Sequence, residues 1–91
     1  VINPLLDYDA AAGVLGCSRS LVSDMALAAE YAAEISGGQR IVADVPPRLR
    51  RHLHEGFPLP ILIGQRIKRI DPREFADYLK RRKRQNRRIA A

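Results

Sequence analysis

The sequence predicts a small, mainly α-helical domain that carries one short β-hairpin. Three observations predict it. Apolar residues recur three and four apart between capping residues and glycine stops. Two β-prone runs flank a glycine turn between residues 61 and 70. The apolar side chains are mostly Ala, Leu, Ile and Val, with no Trp, which suits small helices packed on a short sheet. At 91 residues the chain is one domain, expected as a folded unit over 1–80 followed by a basic tail over 81–91.

The elements follow in order. Asp7 is an N-cap for a short Ala-rich helix from Tyr8 to Leu15, ended by Gly16. Ser18 caps a longer helix in which Leu21, Met25, Ala28, Ala29 and Ala32 form a stripe, stopped by Gly37-Gly38. Residues 39–46 read as a linker or a short extended segment. Pro46-Pro47 starts a third helix, with Leu49 and Leu53 on one face and Gly56 at its end. Phe57-Pro58-Leu59-Pro60 turns the chain into Ile61-Leu62-Ile63. Gly64-Gln65 then leads to Arg66-Ile67-Lys68-Arg69-Ile70, the second and basic strand of a hairpin. Asp71-Pro72-Arg73-Glu74 is close to a capping box and opens a last helix whose stripe is Phe75, Tyr78 and Leu79. The run from Lys80 to Arg88 has almost nothing apolar, and self-repulsion predicts a frayed extension.

Charge is divided between the halves. Residues 1–45 hold two basic and six acidic side chains, a net −4; residues 46–91 hold fourteen basic and four acidic, a net +10. Such a half attracts polyphosphate, because each neutralised phosphate releases condensed counterions. An anionic membrane attracts it by the same charge, but no apolar run approaches the roughly 18 residues of a membrane span.

Other chemistries find little support. Cys17 is the only cysteine, so neither an intramolecular disulfide nor a cysteine-rich metal site can form. His52 and His54, two apart, point in different directions on a helix. No phosphate-binding glycine loop, Ser-His-Asp set or paired carboxylates in apolar surroundings can be found. The expectation is a non-enzyme without cofactor or metal, in a reducing, cytoplasmic setting.

Residues 9–22 carry the first functional constellation. A short Ala-rich helix, a glycine turn and a serine-capped second helix make a helix-turn-helix, in which the start of the second helix enters the major groove. Ser18, Arg19, Ser20 and Ser23 then face bases or phosphates.

The chain resembles the winged-helix excisionase group, the recombination directionality factors of temperate phages and integrative elements, with their AlpA-like and MerR-like relatives. The resemblance covers roughly residues 5–82. It rests on Leu5-Leu6 through Ser20-Leu21-Val22, on Glu55-Gly56-Phe57-Pro58-Leu59-Pro60-Ile61-Leu62-Ile63-Gly64-Gln65-Arg66, and on Asp71-Pro72-Arg73-Glu74-Phe75. It implies a winged helix-turn-helix with an inserted or extended helix. It also implies a protein that binds and bends attachment-site DNA, often in self-associating arrays, so that a partner integrase favours excision. A bacterial host cytoplasm and association with the nucleoid go with that role.

One departure opens two registers, because some thirty residues separate Ser23 from Gly56. In one, the helix from Ser18 reads DNA and residues 36–55 are an insertion. In the other, Pro47 to Glu55 is the recognition helix and the long helix is inserted before it. Charge favours the second, since Arg48, Arg50 and Arg51, with His52 beside them, contrast with Asp24, Glu30 and Glu34 on the longer helix. Both helices touching DNA stays open.

Two further sets of candidate contacts hold in either register. Arg66, Lys68 and Arg69 lie on the hairpin, with Arg66 nearest the tip and suited to the minor groove. Lys80, Arg81, Arg82, Lys83, Arg84, Arg87 and Arg88 form a tail suited to phosphate contact. A transcriptional regulator of the same fold is the first alternative. The second, from another class, is a protein-interaction adaptor that uses the Ala-rich helix as an interface.

Overall fold

Asp7 and Ser18 each stand in extended backbone and turn a side-chain oxygen onto an open amide of a helix. Asp7 Oδ1 accepts from the Ala10 amide (2.7 Å) and begins α1, Tyr8–Leu15. Ser18 Oγ accepts from the Leu21 amide (3.2 Å) and begins α2, Arg19–Ser36. Each cap satisfies an N–H that has no partner inside its helix. Gly16 closes α1 in the left-handed region at φ 70°, where a Cβ costs about 1 kcal/mol. Ala11 and Ala12 are buried at the contact with α2. Their small side chains let the two helices approach closely. The structure, a computed structural model, describes residues 5–64 and 66–90, and side chains as far as residue 83.

The helix-turn-helix and the long second helix therefore form as the sequence predicts, and Gly37 and Gly38 end α2. Residues 39–46 contain a 3-10 turn, Val42–Asp44. The third helix departs from expectation. A helix from Pro47 to Glu55 is expected, whereas α3 is the single turn Pro47–Arg50, followed by i to i+3 turns through Glu55. The local reason is competition for partners. Arg50 folds back so that its Nε donates to the Val45 carbonyl and its Nη2 to that of Ala43 (3.0 and 3.3 Å). His52 turns inward to Glu55 (2.8 Å). A four-residue helix gains too little cooperativity to resist such local bonds.

Strands β1, Ile61–Ile63, and β2, Ile67–Arg69, pair antiparallel with Ile61 opposite Arg69, Leu62 opposite Lys68 and Ile63 opposite Ile67. A third short piece joins them. Leu6 and Ile70 exchange two backbone hydrogen bonds (2.9 and 2.8 Å), which ties the start of the chain to the hairpin's root. Asp71 Oδ1 accepts from the amides of Arg73 and Glu74 and opens α4, Pro72–Ala90.

The α4 backbone runs on through the segment expected to fray, with no break between residues 80 and 81. Arg, Lys and Gln are good helix formers. Cations near a helix C-terminus also complement its dipole, and here these two effects outweigh self-repulsion.

Two cores result, and α2 serves both. The first joins Ala11, Val22, Met25, Ala26, Phe57, Ile70, Phe75 and Tyr78. Phe57 meets Phe75 and Tyr78 edge-on, with centroids 6.2 and 5.2 Å apart. The second joins Ala28 to Val45, Leu49 and Leu53, and so packs residues 45–53 against the later turns of α2. The whole is mainly helical with one antiparallel hairpin, a winged-helix-like arrangement with an inserted segment. Among the described residues, no helix is long and apolar enough to cross a membrane.

Candidate nucleic-acid interface

The α1–α2 turn leaves the first turn of α2 open to solvent. Arg19, Ser20 and Ser23 are exposed there, while Ser18 is exposed but already uses its Oγ as the cap. Ser20 and Ser23 line a shallow cleft with Tyr8, Arg19 and Asp24. An adjoining cleft shares Tyr8 and Arg19 and is lined also by Asp7, Asp9 and, from the hairpin, Arg66, Ile67, Lys68 and Arg69. Two sets of predicted contacts, one from each half of the chain, thus meet around Arg19.

Packing and ion pairs hold these parts in place. Lys68 Nζ lies 2.9 Å from Glu30 Oε1 and bridges the hairpin to α2. Arg69 Nη1 donates to the Lys68 carbonyl (3.0 Å). Arg19 lies 3.8 Å from Asp9, and both side chains are largely exposed. Ion pairs this open to water contribute about 0–1 kcal/mol, so a phosphate can displace the carboxylate. Tyr8 adds a neutral polar group. Burial, reinforced by the Glu30 carboxylate and partly offset by Arg19, holds its phenol above the usual range. The hydroxyl therefore remains a donor as well as an acceptor.

The 48–52 set fares differently. Arg48 reaches toward the α2 cleft through Asp24, at 3.8 Å. Arg50 is bound to its own loop carbonyls. Arg51 Nε donates to His52 Nε2 (3.2 Å). His52 is a correction to the predicted contacts. It is buried, 8% exposed, and its ring bridges Arg51 and Glu55. A two-residue offset from Arg50 turns its side chain toward the core instead of out.

The tail is a third region. Arg81 Nη2 donates to the Gly56 carbonyl (3.1 Å), and Arg82 lies over the Tyr78 ring while donating to its hydroxyl. Lys80 and Arg81 line a separate groove with Pro58, Leu59, Glu74 and Asp77. Lys83 is exposed. The side chains of Arg84, Arg87 and Arg88 lie outside the described residues.

Tyr8, Asp7, Asp9 and Asp24 line the two clefts and are not among the predicted contacts. Asp24 carried a usable signal, since it follows Ser20 by four residues and so shares its helix face. Tyr8 carried none, because its nearness to Arg19 depends on the crossing of α1 and α2. Among the described residues no group of three or more His, Cys, Asp or Glu side chains could hold a metal. No known family, curated protein or solved structure matches the chain.

Proposed function

We propose that the chain is a sequence-specific double-stranded DNA-binding protein of excisionase type, which bends attachment-site DNA and directs a partner integrase toward excision. The observation that carries the DNA reading is the meeting of the α2 start with the basic hairpin. Arg19, Ser20 and Ser23 adjoin Arg66, Lys68 and Arg69 across two clefts that share Tyr8 and Arg19. A helix start is matched to base edges in the major groove, and a basic hairpin beside it to the adjacent backbone or minor groove. This geometry supports the register in which α2 reads DNA and residues 36–55 are an insertion. The excision role itself follows from the resemblance, as do self-association on DNA and a place at the bacterial nucleoid.

Mobility shifts test the reading, using duplexes enriched from a random pool by the parent chain. Arg19→Ala is expected to lose about 1–3 kcal/mol of specific binding. Joint replacement of Arg48, Arg50 and Arg51 by Ala is expected to lose less. The reverse order would restore the helix at Pro47 as the reader. In a recombination reaction with the integrase, the chain is expected to shift products toward excision. Specific binding without that shift would move the reading to a transcriptional regulator. No duplex binding even at low salt would favour the adaptor.

A further inference from the structure

We propose that the Ile63–Ile67 pair beside the hairpin turn is an apolar wedge, which enters the minor groove and unstacks one base step so that the duplex kinks. This rests on the DNA-binding reading above and supplies a physical means of bending. Ile61, Leu62, Ile63 and Ile67 are 39%, 58%, 43% and 50% exposed, although a hairpin that merely faces water needs no such residues. Exposed aliphatics along a free strand edge invite aggregation. Their presence on a projecting element therefore calls for an occupant.

The placement of the four is informative. Ile63 and Ile67 are direct partners in the strand register, on the pair nearest the turn. Directly opposed side chains share a face of the sheet. Strand alternation puts Ile61 and Arg69 on that face too. The root of the hairpin is fastened elsewhere. Ile70 is fully buried, Leu6 is paired to it, and Lys68 holds Glu30. The hairpin is thus firm at its base and presents two isoleucines beside the exposed Gly64 and Arg66 at its end.

Charge selects the occupant. Residues 57–70 contain no Asp or Glu, whereas Arg66, Lys68 and Arg69 are all basic. Aliphatic side chains flanked by cations match a groove walled by phosphates and floored by base edges. Proteins that insert such side chains partly unstack a step and kink the duplex. The cleft holding Arg19 adjoins the same hairpin, so a duplex seated on α2 brings its neighbouring groove to the tip. A second copy of this chain fits less well, because it would bring another cationic hairpin to the same place.

The test uses the full chain and an enriched duplex in which 2-aminopurine replaces each adenine in turn, with donor and acceptor dyes on the duplex ends. Binding is expected to raise 2-aminopurine fluorescence at one step and to bend the duplex by about 20–90°. The double variant Ile63→Ser, Ile67→Ser is expected to bind through its cations but to lose both signals. Ile63→Leu with Ile67→Leu is expected to keep them. Circular dichroism checks that each variant folds, and the parent's own fluorescence response decides the matter if the serine variant does not. Binding by the parent with no unstacking at any step would overturn the wedge and leave the DNA reading intact. So would a serine variant that bends DNA as the parent does. A serine variant that changes only the oligomeric state in light scattering, with unstacking retained, would assign the face to a second copy and overturn the wedge. Failure of the parent to bind any duplex would overturn both readings.

Discussion

The two halves of α2 have the same backbone and opposite surroundings. Its first turns bury Val22, Met25 and Ala26 in the main core and leave Arg19, Ser20 and Ser23 exposed beside the hairpin. Its later turns bury Ala28 against Val45, Leu49 and Leu53 and carry Glu30 and Glu34, which hold Lys68 and Arg40. The first half presents one cation and two hydroxyls beside a basic hairpin, and the second presents carboxylates that are already paired. Length alone is therefore no guide to which part of a helix is left open to solvent. A short polar face with a cap and a basic neighbour outweighs a longer amphipathic run that is already partnered inside the molecule.

Removing an anchor from each core should separate the halves most clearly. Phe75→Ala is expected to cost about 3–5 kcal/mol, and in urea denaturation the whole fold should be lost in one earlier transition. The first core joins α1, α2, the hairpin root and α4, so nothing folds without it. Leu49→Ala should cost less, about 2–3 kcal/mol, with a local signature. Amide exchange is expected to quicken over residues 41–55 while α1 and the hairpin stay protected. If α1 exchanged equally fast, the two cores would be one cooperative unit and the contrast within α2 would fail.

Smaller changes sharpen the same contrast. Ser18→Ala removes the cap on the first half of α2 and is expected to cost about 1 kcal/mol, seen as a lower unfolding temperature. The smallest effect is expected from Glu30→Gln, below about 1 kcal/mol in stability because the Lys68 pair is partly exposed. Its DNA affinity should nevertheless rise in a fluorescence anisotropy titration, since Lys68 is then released to a phosphate. Unchanged affinity would mean that Lys68 is structural and lies outside the interface.

Local signals determined much of the fold. Asp7, Ser18 and Asp71 act through hydrogen bonds to amides two or three residues away, and Gly16 through its own backbone, so each is legible wherever the chain is read. The hairpin was legible for the same reason, as was the aromatic stripe of α4. Two exceptions were the continuation of α4 through the run expected to fray, and the third helix. There an apolar pair at Leu49 and Leu53 imitated helical spacing, while Arg50 and His52 found nearer partners. The charge division between the halves was likewise written in the sequence, and with it the attraction to a polyanion.

Tertiary structure decided what those charges can do. Arg19 and Arg66 are forty-seven residues apart in the chain yet line one cleft, and no periodicity encodes that meeting. The Leu6–Ile70 bridge brings it about, by fixing the hairpin against the start of α1. Tertiary structure also turned His52 inward and bound Arg50 to its own loop, while Arg48 and Arg51 of the set that charge counting favoured stay exposed. The physical reason is that a charge acts through its position and partners, and both are set by side chains far away in sequence. Sequence alone thus determined a basic, hairpin-bearing helical domain; the packing of α1, α2 and the hairpin determined which of its cations stand together.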